Sequence, residues 1–181
     1  MLQITIPATE LWDDASETFI HTKEQTLQLE HSLVSLSRWE SKWCKPFLTK
    51  EEKTPEERLD YIRCMTVTQH VDPDVYLYLT PENIDKINKY IDAPMTATTF
   101  HNNKKGGGRS GEQITSELVY YWMVSYNIPF ECQKWHLNRL LTLIRVCDVK
   151  NQPASKQSRA ATLSQNAALN RARRQKLKSK G

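Results

Sequence analysis

Residues Ser116-Glu117-Leu118-Val119-Tyr120-Tyr121-Trp122-Met123-Val124-Ser125-Tyr126 and, beyond Pro129, Trp135-His136-Leu137-Asn138-Arg139-Leu140-Leu141-Thr142-Leu143-Ile144 decide the fold class. In the first stretch and just before it, Ile114, Leu118, Tyr121, Trp122 and Ser125 recur at three and four, the spacing of one helix face, and Val119 and Met123 widen it. In the second, Trp135, Leu137, Leu140, Leu141 and Ile144 make the longest apolar helix face in the chain. Pro129 divides the two, because proline has no backbone N–H and does not continue a helix. The spacing predicts a helical hairpin over 112–126 and 130–147, with Ser110 or Ser116 at its start. Burying about five such side chains contributes several kcal/mol before chain entropy is set against it.

Upstream, two more helices signal their starts. Thr54-Pro55-Glu56-Glu57 has a capping threonine, a proline at the first helical position and a glutamate that completes a capping box; Leu59, Ile62 and Thr66 follow. Thr80-Pro81-Glu82 repeats the signal, with Ile84, Ile87 and Ile91 as the apolar face and Pro94 as the end. Leu29, Leu33, Leu36, Trp39 (or Glu40) and Trp43 mark a further amphipathic helix that Pro46 stops. Nearer the N-terminus, Leu2-Gln3-Ile4-Thr5-Ile6 alternates apolar and polar residues, as a half-buried strand does, and Phe19-Ile20 and Leu27-Gln28-Leu29 look like two more short strands. The expected fold is α+β and mainly helical: a small N-terminal β-sheet, a C-terminal helical hairpin, then a basic flexible tail.

Charge divides the 181 residues at the same place. The formal net charge of +4 is the sum of an acidic body and a basic end: residues 1–150 carry 17 Lys and Arg against 21 Asp and Glu, and residues 151–181 carry 8 Lys and Arg and no acid. The expected organisation is a single globular domain over 1–150 and a tail over 151–181 that is disordered alone or helical on binding. Residues 160–178 are rich in good helix formers with few apolar side chains to bury, and a lone helix of that kind is marginal in water. Four of the five glycines fall in 101–111, which reads as a mobile basic loop.

The search for chemistry yields little. Cys132 and His136, four apart on an expected helix, could share one metal ion, but a site needs three or four ligands and no second pair stands at a zinc-like spacing. Lys104 to Gly111 lacks the Gly-Lys-Ser/Thr ending of a phosphate loop. Asp72 and Asp74 around Pro73, and the Asp13-Asp14 pair, read as turns and caps rather than calcium ligands. Cys44, Cys64, Cys132 and Cys147 form no CxxC pair and are expected to be free, mostly buried thiols in a reducing cytoplasm. No catalytic residue, metal ligand or cofactor is therefore expected. What remains are contact surfaces. Trp39 and Trp43 share a helix face and read first as core anchors, with an interface hot spot as the alternative. Tyr120, Tyr121, Trp122 and Tyr126 crowd one helix, which cannot turn all four inward. Arg171, Arg173, Arg174, Lys176, Lys178 and Lys180 form the basic end, suited to an acidic protein surface or, as the lesser option, to nucleic acid.

Three stretches carry a resemblance: Leu29-Glu30-His31-Ser32-Leu33-Val34-Ser35-Leu36-Ser37 running into Trp39-Glu40-Ser41-Lys42-Trp43; Pro94-Met95-Thr96-Ala97-Thr98-Thr99-Phe100; and Ile114 to Met123 with Ile128 to Leu141. Together with the Asn166, Leu169-Asn170 and Arg173-Arg174 ending, they resemble the tail assembly chaperone-like proteins of long-tailed bacteriophages over nearly the whole chain. The resemblance implies a non-enzymatic morphogenesis protein of the host cytoplasm. Such a protein holds the tape-measure protein while tail-tube subunits assemble around it. The alternatives are a structural subunit of the virion head, neck or tail and, behind that, a nucleic-acid-binding module using the basic tail. The expected contact residues are Trp122, Tyr126 and Trp135 for apolar contact and Arg171, Arg173 and Arg174 for electrostatic contact. Homo-oligomerisation is left open, and no apolar stretch approaches the ~20 residues needed to span a bilayer.

Overall fold

The structure, a computed structural model, describes residues 1–13, 18–100, 113–151 and 159–177. Four strands come first: β1 (Leu2–Ile6), β2 (Thr9–Asp13), β3 (Thr18–Thr22) and β4 (Gln25–Leu29). They pair antiparallel in two ladders, β1 with β4 and β2 with β3. From Ile6↔Gln25 to Thr9↔Thr22 is three residues on each arm, so the two ladders share one register without a slip. Pro7 marks the interruption, where a backbone donor is missing. Alternation puts Ile4 and Ile6 of β1 and Leu27 and Leu29 of β4 on the buried face. Sequence periodicity missed β2, whose Thr9-Glu10-Leu11-Trp12-Asp13 shows too short an alternation to stand alone. Asp13, expected in a turn, ends this strand, while Asp14 lies outside the described residues.

The first helix, α1 (Leu33–Trp43), begins four residues later than its apolar spacing suggested, because Leu29 belongs to β4. Ser32 is the cap: its side chain accepts from the Ser35 N–H while Ser35 Oγ accepts from the Ser32 N–H. The helix ends before Pro46, on Cys44 in a left-handed conformation at φ 51. The second, α2 (Pro55–Met65), starts on the expected Thr54/Glu57 capping box. Past its end, Glu30 N–H bonds to the Met65 carbonyl, Val67 N–H to the Gln28 carbonyl, and Gln28 N–H to Thr68 Oγ1, so Met65–Thr68 runs beside β4 as a partial third strand. A 3₁₀ helix covers Pro73–Tyr78, capped by Asp72, whose carboxylate accepts from the Asp74 N–H. Then come α3 (Pro81–Asp92), capped by Thr80, and α4 (Ser116–Ser125), capped by Thr115.

The expected second arm of the hairpin is divided. Phe130–Lys134 is a 3₁₀ helix, and α5 (Leu137–Asn151) begins only at Leu137. The break arises because His136 bridges to Ser32 and the Leu137 N–H bonds to the His31 carbonyl, contacts that a continuous helix would forbid. Last is α6 (Arg159–Leu177). By packing, the chain divides into Met1–Cys147 and Asp148–Gly181. The loop expected over 101–111, with Ser110, and residues 152–158 and 178–181 lie outside the described residues.

Two apolar clusters fill the first unit. One joins β1, β4, α2 and α3 through Ile4, Ile6, Leu27, Leu29, Tyr61, Met65, Ile87 and Tyr90. The other joins α4, the second 3₁₀ helix and α5 through Val119, Met123, Cys132, Leu137, Leu140 and Ile144. Helix α1 serves both: Trp39 enters the first cluster, Leu33 and Leu36 the second. The molecule is thus mainly helical α+β, with its small sheet at the N-terminus.

Candidate functional site

Four polar side chains sit where the two clusters meet. His31, 2 % exposed, places Nδ1 2.6 Å from the Tyr61 hydroxyl. Its ring stands edge-on to His136, with centroids 5.0 Å apart, and His136 packs in turn on Tyr90 at 4.9 Å. The Tyr90 carbonyl can only accept, so His136 donates to it from Nε2 at 2.8 Å, and the proton is held on that nitrogen. His136 Nδ1 is left buried without a hydrogen-bond partner. Burial, then the nearby His136, lowers the His31 pKa to about 4. Burial also lowers His136, with the carbonyl bond opposing it, and raises the Tyr61 hydroxyl. The cluster is neutral near pH 7, a condition for burying it cheaply.

Glu40, also buried, ties α1 to two other segments. Its Oε1 accepts from the Phe47 N–H at 2.8 Å and its Oε2 from the Ser116 N–H at 2.7 Å. The second bond sets the carboxylate on the N-terminus of α4, where both the free N–H groups and the helix dipole favour it. The face of α1 toward α2 is a mixed aromatic and ionic seam. Trp39 Nε1 donates to the Glu57 carbonyl and Trp43 Nε1 to Asp60 Oδ2, both at 2.9 Å; Lys42 pairs with Asp60, and Lys45 with Glu57 at 2.7 Å. Lys45 and the Thr54 N–H together hold the Glu57 carboxyl below the usual range. Trp39 is core, as expected, and Trp43 packs half-buried against it.

Beside that seam lies a groove of about 480 Å³ between α2 and α3. Pro55, Arg58, Leu59 and Ile62 form one wall, Ile84, Ile87, Asn88 and Ile91 the other, and Phe47, Tyr61 and Lys53 complete the lining. The Lys53 ammonium lies 4.4 Å from the Phe47 ring centre. Burial lowers its pKa first and the Arg58 charge further, against the pull of Glu57 and Glu51. Sequence reading missed this groove. Each wall was legible as a helix face, but nothing in either face says that α2 packs on α1 and α3 on β1, leaving space between them.

The expected contact residues fall in two places. Trp122, Tyr126 and Trp135 are half-buried and pack on the second cluster, and the Arg139 guanidinium covers the Trp135 ring at 4.1 Å. The large apolar groups that do face outward in this region are their neighbours Tyr121, Val124 and Phe130, at 65 %, 59 % and 54 % exposure. Arg171, Arg173 and Arg174 are exposed on α6. Cys132 and His136 do not share a helix: Cys132 is buried in the 3₁₀ segment and His136 precedes α5. Among the described residues no cluster of three or more His, Cys, Asp or Glu side chains is placed to hold a metal, and no helix is long and apolar enough to cross a membrane. All four thiols are free but, against expectation, only Cys132 is buried: Cys44 is exposed past the end of α1, and Cys64 and Cys147 are half-buried.

No family model, curated protein or solved structure matches the chain.

Proposed function

We propose that the protein is a non-enzymatic bacteriophage morphogenesis factor, a tail assembly chaperone that holds the tape-measure protein in the host cytoplasm. The observation that carries this proposal is α6. It runs for 19 residues with five Arg and Lys and no acid, and every side chain described on it is exposed, Leu163, Leu169 and Leu177 among them. A basic helix whose described side chains are all exposed gains stability when a partner covers it. The exposed Tyr121, Val124 and Phe130 add apolar contact of the kind that protein partners use. The resemblance of the Leu29–Trp43 and Ile114–Leu141 stretches supplies the partner's identity.

Co-expression tests it. The full chain is expected to keep a tape-measure protein soluble and to be recovered with it, and to be absent from purified virions. A tape-measure protein equally insoluble with and without the chain removes the chaperone role. Stoichiometric presence in virions replaces it with that of a structural subunit. Salt-sensitive DNA binding without any tail-protein capture favours the nucleic-acid alternative.

A further inference from the structure

The α2–α3 groove has the dimensions and charge of a helix-binding site. Pro55, Arg58, Leu59 and Ile62 stand at i, i+3, i+4 and i+7 of α2; Ile84, Ile87, Asn88 and Ile91 stand at the same four spacings on α3. Each wall is therefore one helical ridge two turns long, roughly 10 Å at 1.5 Å per residue. Two such ridges over an apolar floor are what a third helix needs to lay its own ridge between them. The volume of about 480 Å³ falls within the roughly 300–1,000 Å³ of formed binding sites.

Charge selects among apolar helices. Lys53 and Arg58 both line the groove, and among the described residues neither has a carboxylate within ion-pairing distance. Glu57, the acid that pulls hardest on Lys53, is taken by Lys45 and the Thr54 N–H. Arg58 Nε donates to the Lys53 carbonyl at 2.9 Å, which ties the guanidinium to the backbone that carries the Lys53 ammonium. The partial burial of the Lys53 ammonium outweighs the pull of Glu57 and Glu51, and an incoming carboxylate relieves it further.

We infer that this groove docks an amphipathic helix of a partner protein, its leucine-like ridge between α2 and α3 and its acidic residues on Lys53 and Arg58. The inference rests on the proposed chaperone role only for who the partner is; the groove's chemistry stands apart from it.

The test uses the full chain and a fluorescein-labelled helical peptide of about 15 residues with leucines at i, i+4, i+7 and i+11 and glutamates on the flanks. A second peptide carries lysine in place of every glutamate. In fluorescence anisotropy at low salt the glutamate peptide is expected to bind at least roughly tenfold tighter than the lysine peptide. The double variant Lys53→Glu/Arg58→Glu is expected to reverse that order; a glutamate at position 58 still suits the start of α2, and circular dichroism checks that the fold is kept. Asn88→Trp, at an exposed position on the groove wall, is expected to block both peptides. Equal affinity for the two peptides, no effect of Asn88→Trp, or saturable binding of laurate without the peptide each overturns the inference. Tape-measure capture that Asn88→Trp leaves unchanged overturns the groove and keeps the chaperone role. Peptide capture through the groove by a chain that holds no tape-measure protein does the reverse.

Discussion

Helix α1 has 11 residues and buries Leu33, Ser35, Leu36, Trp39 and Glu40, whereas α6 has 19 residues and every side chain described on it is exposed. By composition the ranking is reversed. Three serines, two tryptophans and a valine make α1 a mediocre helix former, while alanine, arginine, glutamine and leucine make α6 a good one. The shorter, poorer sequence is held by what surrounds it: two apolar clusters, the Ser32/Ser35 cap and the two N–H groups on Glu40. The longer one has no buried side chain among those described on it. Helical form is common to both, but in α1 it is joined to the burial of five side chains.

That contrast is broken or sharpened by measurement. The largest effect is expected at the buried end. Trp39→Ala removes an indole that packs on Trp43 and Phe47 and donates to the Glu57 carbonyl, and is expected to cost about 3–5 kcal/mol in urea denaturation. A cost below about 1 kcal/mol would mean that α1 is no more integral than α6.

Next comes acid. His31, its pKa lowered to about 4, stays neutral in the fold while the unfolded chain takes up a proton near 6.5. Its contribution is complete above about pH 6.5 and is lost as pH falls toward 4, on the order of 3 kcal/mol at the bottom of that window. Among the described residues its ring meets His136 and Tyr61, neither of them a carboxylate that would compensate the new charge. The check is the difference in urea midpoint between pH 7 and pH 4.5, in the wild type and in His31→Gln. An identical pH dependence in the two chains would assign the acid lability elsewhere.

Glu40→Gln is expected to cost about 1–3 kcal/mol, because an amide has one acceptor oxygen for two buried N–H donors and turns its own NH₂ toward the other. The loss is expected to appear first as faster amide exchange at Ser116 and Phe47. At the far end of the comparison, Leu169→Ala in α6 is expected to change the unfolding midpoint by less than about 0.5 kcal/mol, since a 55 % exposed side chain forfeits little. A larger shift would show that α6 is integrated into the folded body after all.

The features legible in the sequence are those whose physics is local. Thr54-Pro55 with Glu57 and Thr80-Pro81 announced α2 and α3 to the residue, because cap and first turn satisfy the same N–H groups wherever the helix sits. The alternation in Leu2–Ile6 and the three-and-four spacing around Leu118 and Leu140 placed a strand and two helices, though the buried side of α4 is that of Val119 and Met123 and not the expected face with Ile114, Tyr121 and Ser125, which are exposed. The tertiary structure decided the rest. It delayed α1 to Leu33 and α5 to Leu137, because His31 and His136 meet across more than a hundred residues and demand extended backbone there. It turned Trp122, Tyr126 and Trp135 partly inward and left Tyr121, Val124 and Phe130 outside, a choice that depends on which side α1 approaches. It also opened the groove beside Lys53 and Arg58, since an apolar ridge is local but the space between two ridges is set by what each one rests on.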